Sequence, residues 1–324
     1  MSARLLRRLS PFAGLLLFSV ALWVLHLQLA EYHLHEIMAE MRVLPRHRIA
    51  WSLALIALNY ALLTAYEFLA VRSIRHPLPY RKISLASFIG YALSNNVGFA
   101  TLSGGSIRYR MYSSWGLSSS EIMRVITSVT ITFWLGFLAL AGTVFLSEPV
   151  AVPQSLHLPF ASARPLGAVF VALVAGYLVW SARRHLPITF RGSNVSLPLA
   201  RFAVAQVAIS SLDFALAGSA LYLVLPSSVS VSYSGVLGMY LLAMVAGMVS
   251  QVPGRLGVFE TVMVVLLAGE APASALLGSL LAYRVLYYLL PLGIATMLFV
   301  AFEVRQRWEG SSASWPADRI MPDE

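Results

Sequence analysis

The sequence contains no cysteine, only one lysine (Lys82), and just 11% charged residues in a chain of 324. Without cysteine there is no disulfide framework, no thiol nucleophile and no cysteine-ligated metal site. The one lysine sits in Tyr80-Arg-Lys-Ile83, outside any G-x-x-x-x-G-K-[ST] phosphate loop, so ATP hydrolysis by that route is excluded. A G-x-S-x-G nucleophile elbow is also missing. Thr101-Leu-Ser-Gly104 bears a faint likeness to an intramembrane serine protease, but no later apolar run holds a histidine to activate Ser103. His33 and His35, beside Glu31 and Glu36, read as a solvated loop rather than a metal site. No metal and no cofactor are expected.

What the chain has in abundance is apolar side chain. With 58% hydrophobic residues and a mean hydropathy of +0.75, its composition is that of a multispanning membrane protein. The net charge of +9 comes from arginines concentrated in short loops, which is an orientation signal and not a nucleic-acid footprint. No nucleic-acid partner is expected.

Apolar windows long enough to cross a bilayer fall at about 10–30, 49–71, 83–100, 122–146, 165–182, 202–225, 233–252 and 275–302. Arg4, Arg7 and Arg8 precede the first window, no small-x-small cleavage site follows it, and it reads as a retained helix. Loops carrying Arg72, Arg75, Arg81 and Lys82, and Arg183, Arg184, Arg191 and Arg201, read as cytoplasmic together with both termini. Loops 147–164 and 226–232 read as external, and 31–48 as an interfacial helix on the outer side. These features predict a bacterial inner (plasma) membrane protein with a membrane domain over 1–305 and a short cytoplasmic tail over 306–324.

Two stretches break the apolar pattern. Asn95 to Arg110 contains Asn95, Asn96, Gly104 and Gly105, and Gln251 to Glu260 contains Pro253, Gly254 and Gly257. Irregular backbone at membrane depth survives only inside protein or beside a wet cavity. The counts of positive residues balance if 83–107 enters and returns as a hairpin and 256–268 crosses as a short element. The fold expected is therefore all-α and polytopic, about eight transmembrane helices plus two re-entrant or broken segments, in two inverted repeats with a site between them.

Ionisable groups within spans mark cavities or partners, because each costs about 2.5–3.5 kcal/mol to insert. Here they are Glu67, Arg108, Arg110, Arg124, Asp213, Arg255, Glu260 and Arg284. A surplus of arginine suits phosphate, whose oxygens accept paired guanidinium donors. Tyr60, Thr64 and Glu67 share one helical face, as do Gln206, Ser210 and Asp213, and Arg284, Tyr287 and Tyr288. Plainer readings stand beside these. Arg124 snorkels to the interface, Glu67 pairs with Arg72, and Asp213 is either a partner for a buried arginine or a substrate or proton group. The glycines at 104, 105, 254 and 257 permit close helix packing, and Tyr287 and Tyr288 belong to an interfacial belt.

The runs Ser103–Tyr112 (SGGSIRYRMY), Pro253–Glu260 (PGRLGVFE) and Ala282–Pro291 (AYRVLYYLLP) together resemble the lysylphosphatidylglycerol synthase transmembrane family, in its stand-alone inner-membrane form. The resemblance extends from about residue 10 to 305. It implies a module that handles phospholipid, with Arg108 and Arg110 on the first motif and Arg255, Glu260 and Arg284 on the later ones. Some relatives join such a membrane region, regarded as a flippase, to a cytoplasmic domain that aminoacylates phosphatidylglycerol with lysine. About 20 residues after the last window leave no room for that domain in this sequence, so a transporter is expected rather than an enzyme.

The resulting expectation is a phospholipid translocase. An anionic headgroup, of phosphatidylglycerol or cardiolipin, or a polyprenyl phosphate or glycolipid, is paired by Arg108, Arg110 and Arg284, with Tyr287 and Tyr288 beside it. Glu260 and Asp213 steady the arginines when the site is empty, and Arg255 lies nearby. A homodimer is conceivable from the relatives. The competing classes are a noncatalytic membrane scaffold or lipid-binding regulator and a membrane-embedded headgroup transferase.

Overall fold

The computed structural model describes residues 44–74, 76–97, 100–148, 162–183, 188–190, 193–195, 200–250 and 252–312. The first apolar window, the interfacial segment with His33 and His35, and most of the tail lie outside the described residues. The helices are α1 (Arg46–Ser73), α2 (Tyr80–Val97), α3 (Ala100–Ser114), α4 (Ser119–Ser147), α5 (Arg164–Arg183), α6 (Ala200–Val224), α7 (Tyr233–Ser250), α8 (Val258–Leu266), α9 (Ala273–Arg284) and α10 (Leu290–Ser312). A 3-10 turn, Pro253–Arg255, separates α7 from α8, and a π turn, Val285–Leu289, joins α9 to α10. A short antiparallel hairpin, β1 (Ile188–Phe190) with β2 (Ser193–Val195), lies between α5 and α6 in sequence.

Among the described residues six helices are long and apolar enough to cross a membrane: Arg46–Arg72, Ser119–Ser147, Arg164–Arg183, Arg201–Val224, Tyr233–Ser250 and Ala273–Gln306. Each coincides with an apolar window of the sequence. The window at 83–100 is not among them, because α2 carries Arg81 and Lys82 in its first turn and the polar run Ser94-Asn-Asn96 near its end.

Helix α1 lies antiparallel against α6 at the centre of the bundle. Arg48 Nη1 donates to the Leu225 carbonyl, Ser52 Oγ to that of Ala220 and Asn59 Nδ2 to that of Asp213, at 3.2, 3.0 and 2.7 Å, so positions rise on one helix as they fall on the other. With no hydrophobic drive between helices in lipid, small residues that let backbones approach do much of this work. Gly136 of α4 abuts Ser210 of α6, and a Cβ at Gly136 would stand 2.4 Å from the Ser210 backbone carbon. Gly142 of α4 and Gly167 of α5 meet similarly: a Cβ on Gly167 would sit 3.0 Å from the Gly142 carbonyl oxygen.

Two helical hairpins complete the fold, and they open toward opposite ends of the bundle. In α2–α3, Gly104 packs on Gly90 and Ser94 while Gly90 packs on Arg108. The open ends lie beside the start of α4, where Tyr109 and Ser119 share a hydrogen bond of 2.9 Å. In α7–α8, Gly247 faces Arg255 and the rings of Tyr240 and Phe259 meet at 5.8 Å. Its open end lies at the other end of α4, where Ser234 Oγ donates to Glu148 at 2.9 Å. There Glu270, beyond α8, accepts from the Ser230 hydroxyl and amide, which hold its carboxyl below the ordinary glutamate value.

The two breaks differ in construction. At the second, Gly254, Arg255 and Gly257 all have left-handed backbone (φ 61, 56 and 73°), and Pro253 has no amide to continue a helix. At the first, the sequence expectation needs correction. Asn95 and Asn96 are still helical in α2, which runs to Val97, and Gly104 and Gly105 are already inside α3, which starts at Ala100. Gly104 serves close packing, since a Cβ there would lie 1.9 Å from Ser94 Oγ and 2.9 Å from Arg108 Nη1, whereas at Gly105 the nearest atom is an Ile126 methyl at 3.7 Å.

Candidate functional site

Three of the arginines expected to share a chamber each have an acid of their own. Glu67 on α1 is fully buried and accepts two bonds from Arg108 Nε, at 2.8 and 2.9 Å, and one from the Tyr112 hydroxyl at 3.0 Å. The Arg108 guanidinium lies 4.6 Å over the Tyr91 ring. Arg72, the alternative partner considered for Glu67, is exposed and stands over Phe68 instead. Arg284 donates through Nε and Nη2 to Glu260 Oε1 and through Nη1 to the Gly254 carbonyl at 3.1 Å, so it closes the second break from inside. Arg110 reaches from α3 to Glu303 on α10 at 2.8 Å. Arg124 is exposed.

The expected cavity paired by Arg108, Arg110 and Arg284 is therefore corrected. A guanidinium buried in hydrocarbon needs its counter-charge, and the nearest carboxylates on neighbouring helices supply it. Asp213 does not hold an arginine in place as expected. Its Oδ1 accepts from Asn59 Nδ2 at 2.6 Å and its Oδ2 from the Tyr66 hydroxyl at 3.0 Å. Its face-mates Gln206 and Ser210 turn to α4, where Gln206 Nε2 donates to Thr132 Oγ1 at 2.7 Å and Ser210 packs on Gly136.

A small cavity of about 30 Å³ lies where the hairpins meet the α1–α6 centre. Its polar lining is Asn95 near the end of α2, Asp213 on α6, Tyr91, Tyr240, Tyr287 and Tyr288, and Arg255 from the second break; Leu63, Phe133, Phe214, Ala217 and Met244 complete it. Arg255 is the one cationic residue in that lining. Its Nη1 donates to the Met244 thioether sulfur at 3.1 Å, a weak acceptor, and no carboxylate among the described residues forms a salt bridge with it. Gly247 makes room for the Arg255 stem, since a Cβ there would fall 2.7 Å from Arg255 Cδ.

Tyr287 and Tyr288 stand in the π turn, not in an interfacial belt; both are buried. A π turn displaces helical hydrogen bonds, and its freed carbonyls need donors in a dry setting. Tyr60 of α1 donates to the Tyr287 carbonyl at 3.3 Å and Asn96 of α2 to that of Tyr288 at 3.2 Å. The Tyr287 hydroxyl in turn donates to Asn59 Oδ1 at 3.0 Å. Asn59, Tyr66, Tyr91 and Tyr240 were not singled out by the sequence. The signal available in the sequence is a polar side chain in an otherwise apolar run, as at Asn59, next to the Tyr60–Glu67 face.

Six long apolar helices among the described residues, with helical hairpins between them, define a polytopic helical membrane protein. A family model described as the lysylphosphatidylglycerol synthase TM region matches residues 12–295, and the chain belongs to that family. It is 40% identical over 304 residues to the uncharacterized protein slr0712 of Synechocystis sp., covering 93% of this chain and 94% of that one. It is 35% identical over 271 residues to the inner membrane protein YbhN of Escherichia coli, covering 83% and 84%. To a phosphatidylglycerol lysyltransferase of Staphylococcus haemolyticus it is 24% identical over 243 residues, which are 73% of this chain but 27% of that longer protein.

Proposed function

We propose that the chain is a phospholipid translocase of the bacterial inner membrane that holds an anionic headgroup against Arg255. The observation that carries this is a guanidinium that forms no salt bridge with any carboxylate among the described residues and lines a small cavity inside an apolar bundle. A charge kept there at an insertion cost of about 2.5–3.5 kcal/mol needs a counter-ion, and a lipid phosphate supplies it with matching geometry. The lysyltransferase relatives make phosphatidylglycerol the first lipid to test, with cardiolipin next. No aminoacyl transfer is assigned to this chain.

Alternating access is supported by a pattern of repetition. The steps from Arg46 to Ala200, Tyr80 to Tyr233 and Ser119 to Ala273, the first residues of α1 and α6, α2 and α7, and α4 and α9, are 154, 153 and 154 residues. The same step carries α5 back onto the first apolar window. Neighbours repeat as well: α1 with α2 as α6 with α7, α2 with α3 as α7 with α8, α3 with α4 as α8 with α9, and α2 with α10 as α7 with α4. Related helices α1 and α6 run antiparallel and the hairpins open to opposite ends, which is the relation of two inverted repeats around a central site. With the arginine-rich loops and both termini cytoplasmic, α2–α3 enters from the cytoplasm and α7–α8 from outside.

The three buried or half-buried ion pairs are what a noncatalytic scaffold would also contain, and they favour that as the second reading. The experiment that separates the two is reconstitution of the wild type and Arg255→Gln with fluorescent phosphatidylglycerol, alongside identification of copurified lipid by mass spectrometry. Arg255→Gln is expected to melt within a few degrees of wild type while losing at least tenfold in translocation. Equal activity in the two proteins, or no translocation above protein-free vesicles, overturns the proposal.

A further inference from the structure

We infer that Asp213 binds a proton together with the headgroup on Arg255, so that lipid movement is driven by proton symport; this rests on the function proposed above. The other acids inside the bundle, Glu67, Glu260 and Glu303, each hold an arginine. Asp213 is equally enclosed, at 5% exposure, yet both its carboxyl oxygens face uncharged donors, Asn59 Nδ2 at 2.6 Å and the Tyr66 hydroxyl at 3.0 Å. A carboxylate taken out of water without a counter-charge has lost several kcal/mol of solvation. Of these acids it is the one without an arginine partner.

Asp213 and Arg255 line the same cavity without forming a salt bridge to each other. The ionisable groups around Asp213 are Tyr60 and Tyr66 from α1, Tyr91 from α2, Tyr240 from α7 and Tyr287 from the π turn, with Tyr288 and Arg255 in the lining of the same cavity. On the remaining sides α4 and α5 meet α6 through Thr132 and Tyr177, both hydrogen-bonded to Gln206. Arg255 is thus the one cation in the lining of the cavity that Asp213 shares. A phosphodiester settled on Arg255 would neutralise that cation and bring a negative charge into the same cavity as Asp213, and like charges in a poorly screened site raise proton affinity. Headgroup and proton therefore favour one another, and by linkage the coupling is reciprocal.

The charge count closes. The empty site holds Arg255 and ionised Asp213, net zero; the loaded site holds Arg255, one phosphodiester anion and neutral Asp213, also net zero. Neither state moves charge against the membrane potential. Asn59 passes the change on, since its amide donates to Asp213 while its oxygen accepts from Tyr287 in the π turn.

The test is calorimetric titration of the full chain in detergent with dihexanoyl phosphatidylglycerol, in buffers of different ionisation enthalpy between about pH 5 and 8. The phosphodiester does not titrate in that range, so any proton uptake belongs to the protein. Wild type is expected to take up close to one proton per lipid on the alkaline side and to bind up to about tenfold more tightly per unit fall in pH. Asp213→Asn, which mimics the protonated carboxyl, is expected to bind with a pH-independent affinity and take up none. Binding by wild type without proton uptake, or uptake retained in Asp213→Asn, overturns the inference while leaving the lipid site standing. Absence of binding at every pH overturns both. Should Asp213→Asn not fold, wild-type proteoliposomes decide: an acid donor side is expected to accelerate translocation severalfold, and indifference to the imposed gradient refutes the symport.

Discussion

Glu67→Ala is expected to destabilise the protein by about 3–5 kcal/mol, the usual result of removing one partner from a buried pair. The alanine strands the Arg108 guanidinium at 4% exposure between Gly90, Gly104 and Tyr91, with no second carboxylate among the described residues to receive it. It also takes the acceptor from the Tyr112 hydroxyl. The loss should read out as a large drop in the denaturant midpoint in mixed micelles. The companion variant Glu67→Leu with Arg108→Met removes both charges and refills the space, and it is expected to recover most of the stability. If that double variant still moves lipid, Arg108 is a helix lock; if it folds yet has lost translocation, Arg108 belongs to the site after all.

The next largest effect is expected at Gly136. A Cβ there would lie 2.0 Å from Ser210 Oγ, 2.2 Å from its Cβ and 2.4 Å from its backbone carbon. Side-chain rotation relieves only the first of these, so α4 and α6 must separate by on the order of 1 Å, and overpacking of that kind costs about 1–3 kcal/mol and occasionally more. Gly136→Ala should fall at or above the top of that range. Adding Ser210→Gly removes the two side-chain contacts but not the backbone one, so partial rescue is expected in the same denaturation assay. Complete rescue, or no effect of Gly136→Ala alone, would mean the helices do not cross so closely.

Much of the membrane architecture could be read from the chain, because hydropathy is a sum over twenty or so residues and survives local error. The break at Pro253 and Gly254 was equally legible, since a missing amide and a left-handed glycine are local properties. The first break was displaced because Gly104 and Gly105 carry the same composition for a different reason: Gly104 brings two helices together. Pairing was the part the sequence hid. Arg108 and Glu67 are 41 positions apart and Arg110 and Glu303 are 193 apart, and nothing local says which acid a buried arginine will find. For that reason the sequence could not set Arg255 apart from Arg108, Arg110 and Arg284, each of which has a carboxylate partner. The Asn59–Tyr66–Asp213 cluster was missed likewise, since it is assembled across α1 and α6.

Arg255 holds its charge on a backbone that side chains other than glycine adopt reluctantly, at φ 56°, a strain of about 1–2 kcal/mol. Arg255→Gly would relax that residue and is expected to yield a protein with a melting temperature no lower than wild type but no grip on phosphate. A gain in robustness bought by loss of activity is the mark of a position selected for work rather than for durability. Laboratory selection for thermal tolerance alone would then tend to erase this arginine first.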